Sequence, residues 1–476
     1  MLFKILAEKN ADDKAVFFYD NMTNTLSDET GFVIEYPNIQ EPSLRKASQP
    51  FSKDEPLSKS KNVQILKIQL GLSCNYSCSY CSQRFVDRAD ETSMKHVESF
   101  MKKLEHLEFD EKKGLKIELW GGEPLVYWKT IQPLVAALKE KFFDWLKKPQ
   151  FSMITNGSLL TYEISDWLML NDFSIAISHD GPGQHVRGPD PLDDPKKREV
   201  ILKLYHRLKP YGRISFNSML NGSNVSRKEV FDWFVNLTGD KNVSLGEGGL
   251  IDAYDVDGLS NMLTTKEDHF KFRRQAFNDI FSTQGDIGFF GVLQKIDSFT
   301  KSVLGHTHAD FVGQKCGMDD EHILAVDLRG DVVTCQNVSS VSEAMNGMSH
   351  KAGNITDMDS VKIRTGTHWK NRPDCAGCPV LHLCQGACLF LEGEYWQKSC
   401  ANAYSDAMAL FALSIEKMTG YIPYFIEADH LPDERKDMWG TVLNHPETVA
   451  KDVSAKVLQE ITIVEGVEVF TKARAS

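Results

Sequence analysis

Strand-like apolar runs alternate with amphipathic patterns from Val63 to Glu247, and this alternation limits the folds open to the chain more than any other feature. Such a pattern is typical of a parallel sheet covered by helices. We therefore predict an α/β fold built on a partial (β/α)6, TIM-like barrel. The predicted strands are Ile65–Gly71, Leu115–Trp120, Phe151–Thr155, Phe173–Ser178, Arg213–Met219 and Val243–Gly246. The helices between them are predicted near Thr92–Leu107, Tyr127–Leu146, Thr161–Leu170, Pro195–Leu208 and Arg227–Leu237.

Three cysteines directly follow the first predicted strand, in Gly71-Leu-Ser-Cys74-Asn-Tyr-Ser-Cys78-Ser-Tyr-Cys81. A four-iron four-sulfur cluster has four iron corners, so three protein thiolates leave one iron free for another ligand. A structural zinc site is the alternative, but it ordinarily has a fourth Cys or His at short spacing, and this stretch has none. The spacing therefore favours a cluster with one open iron.

Further motifs follow the next three predicted strands. Gly121-Gly-Glu-Pro124 comes after the second strand, Thr155-Asn-Gly157 after the third, and Ser178-His-Asp-Gly-Pro182 after the fourth. In parallel barrels the working residues lie at the carboxyl ends of the strands. Gly-Gly-Glu-Pro on its own is equally consistent with a plain turn, but its position agrees with that of the cysteines. We expect these motifs to form one site.

The cysteine spacing, with Tyr80 before the last cysteine, resembles that of the radical S-adenosylmethionine (SAM) enzymes, and the resemblance covers roughly residues 65–250. It implies that Cys74, Cys78 and Cys81 hold the catalytic [4Fe-4S] cluster. It also implies that Arg187 pairs with the SAM carboxylate, a role suited to a planar bidentate donor. The other SAM-binding residues it implies are Tyr80, Gly121, Gly122, Glu123, Pro124, Thr155, Asn156, Ser178, Asp180 and Asn217.

Seven further cysteines complete the ten of the chain, in the order Cys-x13-Gly-x4-Cys, Cys-x2-Cys-x5-Cys-x3-Cys and a final Cys. This order resembles the SPASM domain, which carries auxiliary iron–sulfur clusters in radical SAM enzymes that act mostly on peptides. Two structural zinc sites are the alternative. The resemblance implies three [4Fe-4S] clusters in all. The first auxiliary cluster would use Cys316, Cys335 and Cys388, and the second would use Cys375, Cys378, Cys384 and Cys400.

The first auxiliary cluster then has one iron without a cysteine. Some relatives have an eighth cysteine six residues after the first, where this chain has His322. Either His322 is the ligand or the corner is open to water or substrate. We favour the open corner, because a change from cysteine to histidine is uncommon in such clusters.

The remaining segments carry weaker signals. A β-hairpin unit is expected at the start of the chain, where Phe18-Tyr-Asp20 faintly resembles the hairpin of a leader-binding winged helix, and a linker is expected at Glu41–Ser60. His306 and His308 are interpreted as part of a solvated loop rather than a metal site. Helices are expected at Thr265–Phe281 and Ala401–Met418, and a strand-like end at Ile461–Phe470. The predicted domains are 1–60, 61–250, 251–310 (bridging), 311–405 (SPASM) and 406–476 (helical tail).

Composition limits the partners. The 476 residues carry a net charge of −12 without a long Lys/Arg run, which argues against nucleic acid. No signal peptide or uncharged bilayer span is recognised, so we expect a cytoplasmic, oxygen-sensitive protein with no membrane partner. The resemblance implies an external reductant such as flavodoxin or ferredoxin.

The family resemblance implies a peptide maturase. The favoured reaction is an oxidative crosslink in a ribosomally made precursor peptide, a carbon–carbon or ether bond at an aromatic residue as in darobactin-type and cyclophane peptides. Thioether formation is the near alternative. Sulfatase maturation has less support, because Gln336 stands where that relative has an Asp base, and an amide does not accept a proton. An iron–sulfur electron carrier or scaffold is the alternative from another class, and it would need neither Gly121–Pro124 nor Arg187.

Overall fold

The computed structural model describes residues 1–35, 48–85, 91–343, 348–364 and 366–440, with two short paired strands near the end of the chain. Parts of the predicted linker and of the predicted tail lie outside the described residues. Its strands are β1 (Leu2–Asn10), β2 (Asp13–Asp20), β3 (Thr25–Asp28), β4 (Leu57–Ser58), β5 (Ile65–Gln69), β6 (Lys116–Trp120), β7 (Gln150–Thr155), β8 (Ser174–Ser178), β9 (Ile214–Leu220), β10 (Leu245–Leu250), β11 (Ile323–Asp327), β12 (Asp331–Val333), β13 (Lys351–Asn354), β14 (Lys362–Ile363), β15 (Ile422–Glu427), β16 (Ile463–Val464) and β17 (Val467–Glu468).

Helices alternate with the strands of the central sheet. They are α1 (Val97–Lys103), α2 (Trp128–Lys141), α3 (Tyr162–Leu170), α4 (Pro195–Leu208), α5 (Arg227–Thr238), α6 (Val256–Leu259), α7 (Lys266–Ser282), α8 (Phe290–Leu304), α9 (Pro373–Ala376), α10 (Leu381–Cys384), α11 (Gly393–Thr419) and α12 (Asp433–Lys436). Local capping sets several of their ends. For example, the Asp194 carboxylate accepts from the Lys196 amide ahead of α4, and Gly239 closes α5 in the left-handed conformation.

The central sheet contains the six predicted parallel strands in sequential order, from β5 to β10, and a seventh parallel strand, β11, on the other side of β5. The α/β fold with a parallel sheet is therefore confirmed. Because the strands are parallel, the loops that follow them meet at one edge. The motif loops after β5, β6, β7 and β8 are neighbours there.

Structure is continuous across two of the predicted domain boundaries. Beyond residue 311, β11 pairs with β5 and is followed by the antiparallel strands β12 and β13 in the same sheet. The boundary at 405/406 falls inside α11, which is one continuous helix. These contacts join residues far apart in sequence, so local patterns gave no signal for them.

The N-terminal strands β1 to β3 form a four-stranded antiparallel sheet with β15, which comes from the predicted helical tail. Tyr19 is buried at the centre of the interface, with its ring 5.4 Å from Phe411 of α11 and 6.2 Å from Phe299 of α8. The Asn21 side chain donates to the carbonyl of Cys378 at 2.9 Å. The N-terminal unit is thus part of the framework around the C-terminal cysteines rather than an independent module.

One buried cluster of apolar side chains spans the N-terminal sheet, the central sheet, its helices and α11. None of the helices in the described ranges is long and apolar enough to cross a membrane.

Candidate active site

A cavity of about 270 Å³ lies at the edge where the parallel strands end. Its wall combines residues from the loops after β5, β6, β7 and β8, which the sequence predicted to meet. Asp180 and Asn217 are absent from the part of the wall that the structure describes. The predicted residues found in the wall are Cys74, Cys78, Tyr80, Cys81, Gly121, Gly122, Glu123, Pro124, Thr155, Asn156, Ser178 and Arg187.

The two glycines after β6 let that loop lie against the cysteine loop. The Gly122 amide donates to the Gly71 carbonyl at 3.1 Å, and the Glu123 amide donates to the Ser73 carbonyl at 3.0 Å. A Cβ at Gly122 would stand only 2.4 Å from the Leu72 carbonyl oxygen. Glycine at this position is therefore required by the contact between the two loops.

Glu91 and Tyr127 hold the start of the cysteine loop. The Glu91 carboxylate accepts hydrogen bonds from the Leu72 amide at 3.0 Å, the Ser73 hydroxyl at 2.8 Å and the Tyr127 hydroxyl at 2.7 Å. The Tyr127 oxygen accepts from the Ser73 amide at 2.7 Å. Sequence analysis missed both residues, since neither belongs to a motif.

Glu123 connects the end of β7 and the loop after it, at Thr155 and Asn156, to its own loop after β6. Its buried carboxylate accepts from the Thr155 hydroxyl at 2.7 Å, the Asn156 amide at 2.7 Å and the Leu125 amide at 3.0 Å. Burial raises the pKa of Glu123, and these hydrogen bonds oppose the shift. The Asn156 side chain then donates to Asn75 in the cysteine loop at 2.9 Å. These contacts position the loops around the cavity.

Asp180 lies behind the cavity wall and positions two residues of it. Its carboxylate accepts from Arg187 at 2.8 Å and from the Tyr80 hydroxyl at 2.7 Å, and also from the Met219 amide at 2.9 Å. The Arg187 guanidinium lies 5.6 Å from the centre of the Tyr80 ring. Asp180 thus supports Arg187 and Tyr80 from behind the wall, and its place among the SAM-binding residues stays a prediction.

The donor types in the cavity wall suit an iron–sulfur cluster and an anionic group. Three thiols share the wall with Arg187, whose Nε is buried and has no hydrogen-bond partner among the described residues. Burial raises the pKa of Cys78 to about 12, and the positive charge of Arg187 acts in the opposite direction. A carboxylate beside Nε would complete the bonding of this guanidinium.

Electrostatic neighbours divide the seven C-terminal thiols into two groups, and cluster ligation by either group stays a prediction. Burial raises the pKa of Cys335 to about 12, and the charges of Cys316 and Cys388 act in the same direction. Burial with the charges of Cys384 and Cys400 likewise raises the pKa of Cys375 to about 12. The second group also contains Cys378, whose pKa is raised by burial and by Cys384 and Cys400.

The first C-terminal group lies beside the cavity. The Asn337 amide donates to the Cys335 sulfur at 3.5 Å, and its side-chain oxygen accepts from Gln83 at 3.1 Å. Both Asn337 and Gln83 line the cavity, as does Tyr254. Sequence analysis missed all three, because none belongs to a cysteine motif.

His322 points to the backbone of another segment. Its Nδ1 hydrogen-bonds the Asn62 carbonyl at 2.8 Å, and its Nε2 lies 3.9 Å from Glu321. The charged groups that act most strongly on the Cys316 thiol are Asp319 and Lys67. The open corner stays a prediction.

Other predicted residues lie apart from this cavity. Asn217 faces a second cavity, of about 350 Å³, which shares Trp120 and Ile154 with the first. His308 caps a short turn by accepting from the Asp310 amide at 3.2 Å. Within the described ranges, no group of three or more His, Cys, Asp or Glu side chains is arranged to hold a metal ion.

Comparison with known proteins identifies the domain. Residues 68–234 match the model of the radical SAM superfamily. The chain is 26% identical over 384 residues to the radical SAM cyclopropyl synthase TigE of Paramaledivibacter caminithermalis, covering 75% of this chain and 74% of that protein. The fold is similar to that of anSMEcpe, solved with bound AdoMet (SAM) and the Cp18Cys peptide. That match has a TM-score of 0.53 and 18% identity, and covers 74% of this chain and 99% of that one.

Members of this superfamily bind SAM and a [4Fe-4S] cluster, in agreement with the three thiols and Arg187 in one cavity. The resemblance stated from the cysteine spacing is confirmed. The chain carries a radical SAM domain, and it is a radical SAM enzyme.

Proposed function

We propose that this enzyme forms a carbon–carbon bond in a peptide substrate by oxidation. The proposal rests on the residues that line one cavity. The Cys74–Cys81 loop lines one side, and Asn337 and Tyr254 line the other side, beside a second group of thiols. A substrate in this cavity would lie between two candidate iron–sulfur sites. That arrangement suits a reaction in which electrons must leave the substrate.

Cys74, Cys78 and Cys81 would hold the catalytic cluster, and the free Nε of Arg187 would bind the SAM carboxylate. A cluster and SAM bound in this way supply the abstraction of a hydrogen atom from unactivated carbon. The protein's own part is orientation and exclusion of water, because the cofactor carries the hard chemistry. Asp180, held by three hydrogen bonds, keeps Arg187 and Tyr80 in place for that purpose.

Joining two C–H carbons removes two hydrogens, that is, two protons and two electrons. Hydrogen-atom abstraction accounts for one proton and one electron. The second hydrogen leaves as a proton released to solvent and an electron that requires an acceptor, and we assign that acceptor role to auxiliary clusters on the two C-terminal thiol groups. The seven-cysteine segment is accordingly proposed to be a SPASM domain, and the central sheet a partial barrel.

The choice of bond and substrate draws on the relatives. TigE is a cyclopropyl synthase, which favours carbon–carbon over ether or thioether bonds, and anSMEcpe was solved with a peptide. A precursor peptide with an aromatic or aliphatic crosslink site is therefore proposed, with flavodoxin or ferredoxin as reductant in the cytoplasm. Gln336 continues to disfavour the sulfatase reaction, since its amide oxygen faces Lys67 at 3.5 Å and an amide is no base.

The proposal is tested with reduced, iron-reconstituted protein, SAM and candidate precursor peptides under anaerobic conditions. We expect 5′-deoxyadenosine and a peptide that has lost two hydrogens, with a new carbon–carbon bond in its fragmentation and NMR spectra. A peptide product with unchanged hydrogen content, or no product with any peptide while SAM is cleaved, contradicts the proposed reaction.

Arg187→Ala tests the SAM site separately. A charged hydrogen bond contributes about 1.5–3 kcal/mol, so SAM affinity should fall roughly ten- to hundredfold. Because the variant leaves the buried Asp180 without its cation, the double variant Arg187→Met with Asp180→Asn serves as the control for stability. Weak SAM binding in both variants, with iron content intact, would support the assignment; unchanged affinity would exclude it.

A further inference from the structure

Arg372 is a buried cation at the junction of the two C-terminal thiol groups. It directly precedes α9, which contains Cys375, and only 7% of it is exposed. Its guanidinium donates to a run of backbone carbonyls that begins at Cys388. The Nη2 atom lies 3.3 Å from the Cys388 oxygen and 3.1 Å from those of Leu389 and Leu391. The side chain therefore holds a segment of the first group, while its own backbone leads into the second.

The same guanidinium contacts the helix that carries Cys400. Its central carbon lies 3.4 Å from the centre of the Trp396 ring, in α11. Cys400 follows Trp396 by four residues, so the two side chains are neighbours on that helix. The Cys375 amide donates to the Arg372 carbonyl at 3.1 Å, and Cys375 belongs to a buried cluster against which Trp396 packs. One arginine thus joins the segments of Cys375, Cys388 and Cys400.

The charge of Arg372 has no carboxylate within ion-pair distance in the part of the chain that the structure describes. Its guanidinium donates to backbone carbonyls instead. Burial lowers the pKa of Arg372. The charges that oppose this shift most strongly are those of Cys375, Cys388 and Cys400. Because a buried cation is costly unless an anion compensates it, the thiolates of both groups are the candidates for that anion.

We propose that Arg372 is a counter-ion shared by the two auxiliary clusters, so that one residue sets both reduction potentials. This inference rests on the proposed function, because it requires clusters on both C-terminal thiol groups. Net charge is among the factors that set the potential of an iron–sulfur cluster, and a nearby cation favours the reduced state. Since the same charge acts on both clusters, their potentials rise together. This arrangement suits the passage of the substrate's electron from one cluster to the other.

The test is a redox titration of the full-length, iron-reconstituted protein, followed by EPR. The first auxiliary signal is identified as the one changed in Cys388→Ala, and the second as the one changed in Cys400→Ala. Arg372→Gln removes the charge and keeps a donor for the carbonyls. Both auxiliary potentials should become more negative, while the potential of the SAM cluster is unchanged. Arg372→Lys keeps the charge and should recover most of both shifts.

Arg435→Gln is the matched control. The Arg435 guanidinium donates to the Cys400 sulfur at 3.2 Å, and the other thiol whose charge acts on it is Cys378, also of the second group. This variant should shift the second auxiliary potential alone. In Arg372→Gln, a shift of one potential only, or of neither, would overturn the inference. Equal shifts in Arg372→Gln and Arg372→Lys would do the same, because they would show that the charge is not what matters.

Trp396→Leu keeps the inference testable if Arg372→Gln does not fold. It leaves the guanidinium and its carbonyl bonds in place but removes the ring that covers them, so that water screens the charge. Both auxiliary potentials should become more negative, by less than the loss of the charge itself would cause. Two unchanged potentials in this variant would then count against the shared counter-ion.

Iron content separates this inference from the proposed function. If the wild type binds only about one four-iron unit, the auxiliary clusters are absent and both proposals fall. If the auxiliary clusters are present and Arg372→Gln leaves their potentials unchanged, only the role of Arg372 falls. If both potentials shift as expected but no peptide is crosslinked, the proposed reaction falls and the shared counter-ion stands.

Discussion

The two cysteine-bearing regions of this enzyme are assembled in opposite ways. The first places three thiols within eight residues, on a loop held by its neighbours at the ends of adjacent strands. The second gathers seven thiols from Cys316 to Cys400, and it depends on α11, on the N-terminal sheet and on α12. A local motif thus defines the catalytic site, whereas the tertiary fold defines the sites beside it.

This contrast predicts different responses to mutation. A change in the cysteine loop should affect SAM chemistry and leave the remaining sites intact. A change in the packing around the C-terminal thiols should alter the iron content and the reduction potential of the clusters proposed there. The four predictions below are ordered from the largest expected effect to the smallest.

Removing the catalytic thiols should abolish activity without disturbing the C-terminal region. In the Cys74→Ala, Cys78→Ala, Cys81→Ala triple variant, we expect iron to fall by about one four-iron unit and SAM cleavage to disappear. Iron analysis and 5′-deoxyadenosine assays measure both. Residual SAM cleavage, or the loss of all iron, would show that the two regions are not independent.

Gly122→Ala should break the contact between the two loops. The added methyl meets backbone oxygens of Leu72 and Ser73 that have little freedom to move, and overpacking of this kind costs about 1–3 kcal/mol. Urea unfolding and SAM titration should both show the loss. The control is Gly291→Ala in α8, where a Cβ meets nothing within 4 Å and helix propensity favours alanine by up to about 1 kcal/mol.

Arg435→Gln should alter the second auxiliary site alone. The Arg435 guanidinium donates to the Cys400 sulfur at 3.2 Å and lies 4.8 Å from the centre of the Tyr404 ring. Loss of this charged donor is expected to lower the reduction potential of that cluster, and to destabilise the protein by about 1.5 kcal/mol. Arg435→Lys keeps the charge and should recover most of the potential. A shift in the SAM cluster instead would contradict the assignment of Cys400.

Mild acid should loosen the packing of α11. Burial, helped by the charge of Arg273, lowers the pKa of His269 from its ordinary 6.5 to about 4. Its ring bonds the Ser405 hydroxyl of α11 at 3.0 Å. A histidine kept neutral by folding contributes stability that is present above the unfolded pKa and declines as pH falls from 6.5 toward 4.

We therefore expect the unfolding free energy to fall by about 1 kcal/mol from this group between pH 6.5 and pH 5.5. The decline should be smaller in His269→Gln, measured by urea unfolding at the two pH values. If the variant and the wild type lose the same stability over this range, another group is responsible.

Local signals explain what the sequence could predict. The bounds of α4 match the prediction because Pro195 opens it after the Asp194 cap. The cavity residues were found because each motif follows its strand directly. By contrast, β11 beside β5 and Asn337 beside Gln83 join segments far apart in the chain, and neither has a motif of its own. The hydrogen bonds from Arg187 and Tyr80 to Asp180 were not foreseen either, since the sequence position of Asp180 does not reveal them.

The pairing of β1 with β15 bears on how this protein is made. Lys4 lies opposite Glu427, so more than 400 residues separate β1 in sequence from the strand that covers its second edge. Contacts of such long sequence separation form slowly, and an uncovered strand edge invites association with other chains. Shortening the protein at the C-terminus before β15 therefore exposes a nucleus for aggregation at the opposite end of the sequence. Expression at low temperature, which slows that association, should give the highest yield of the intact enzyme.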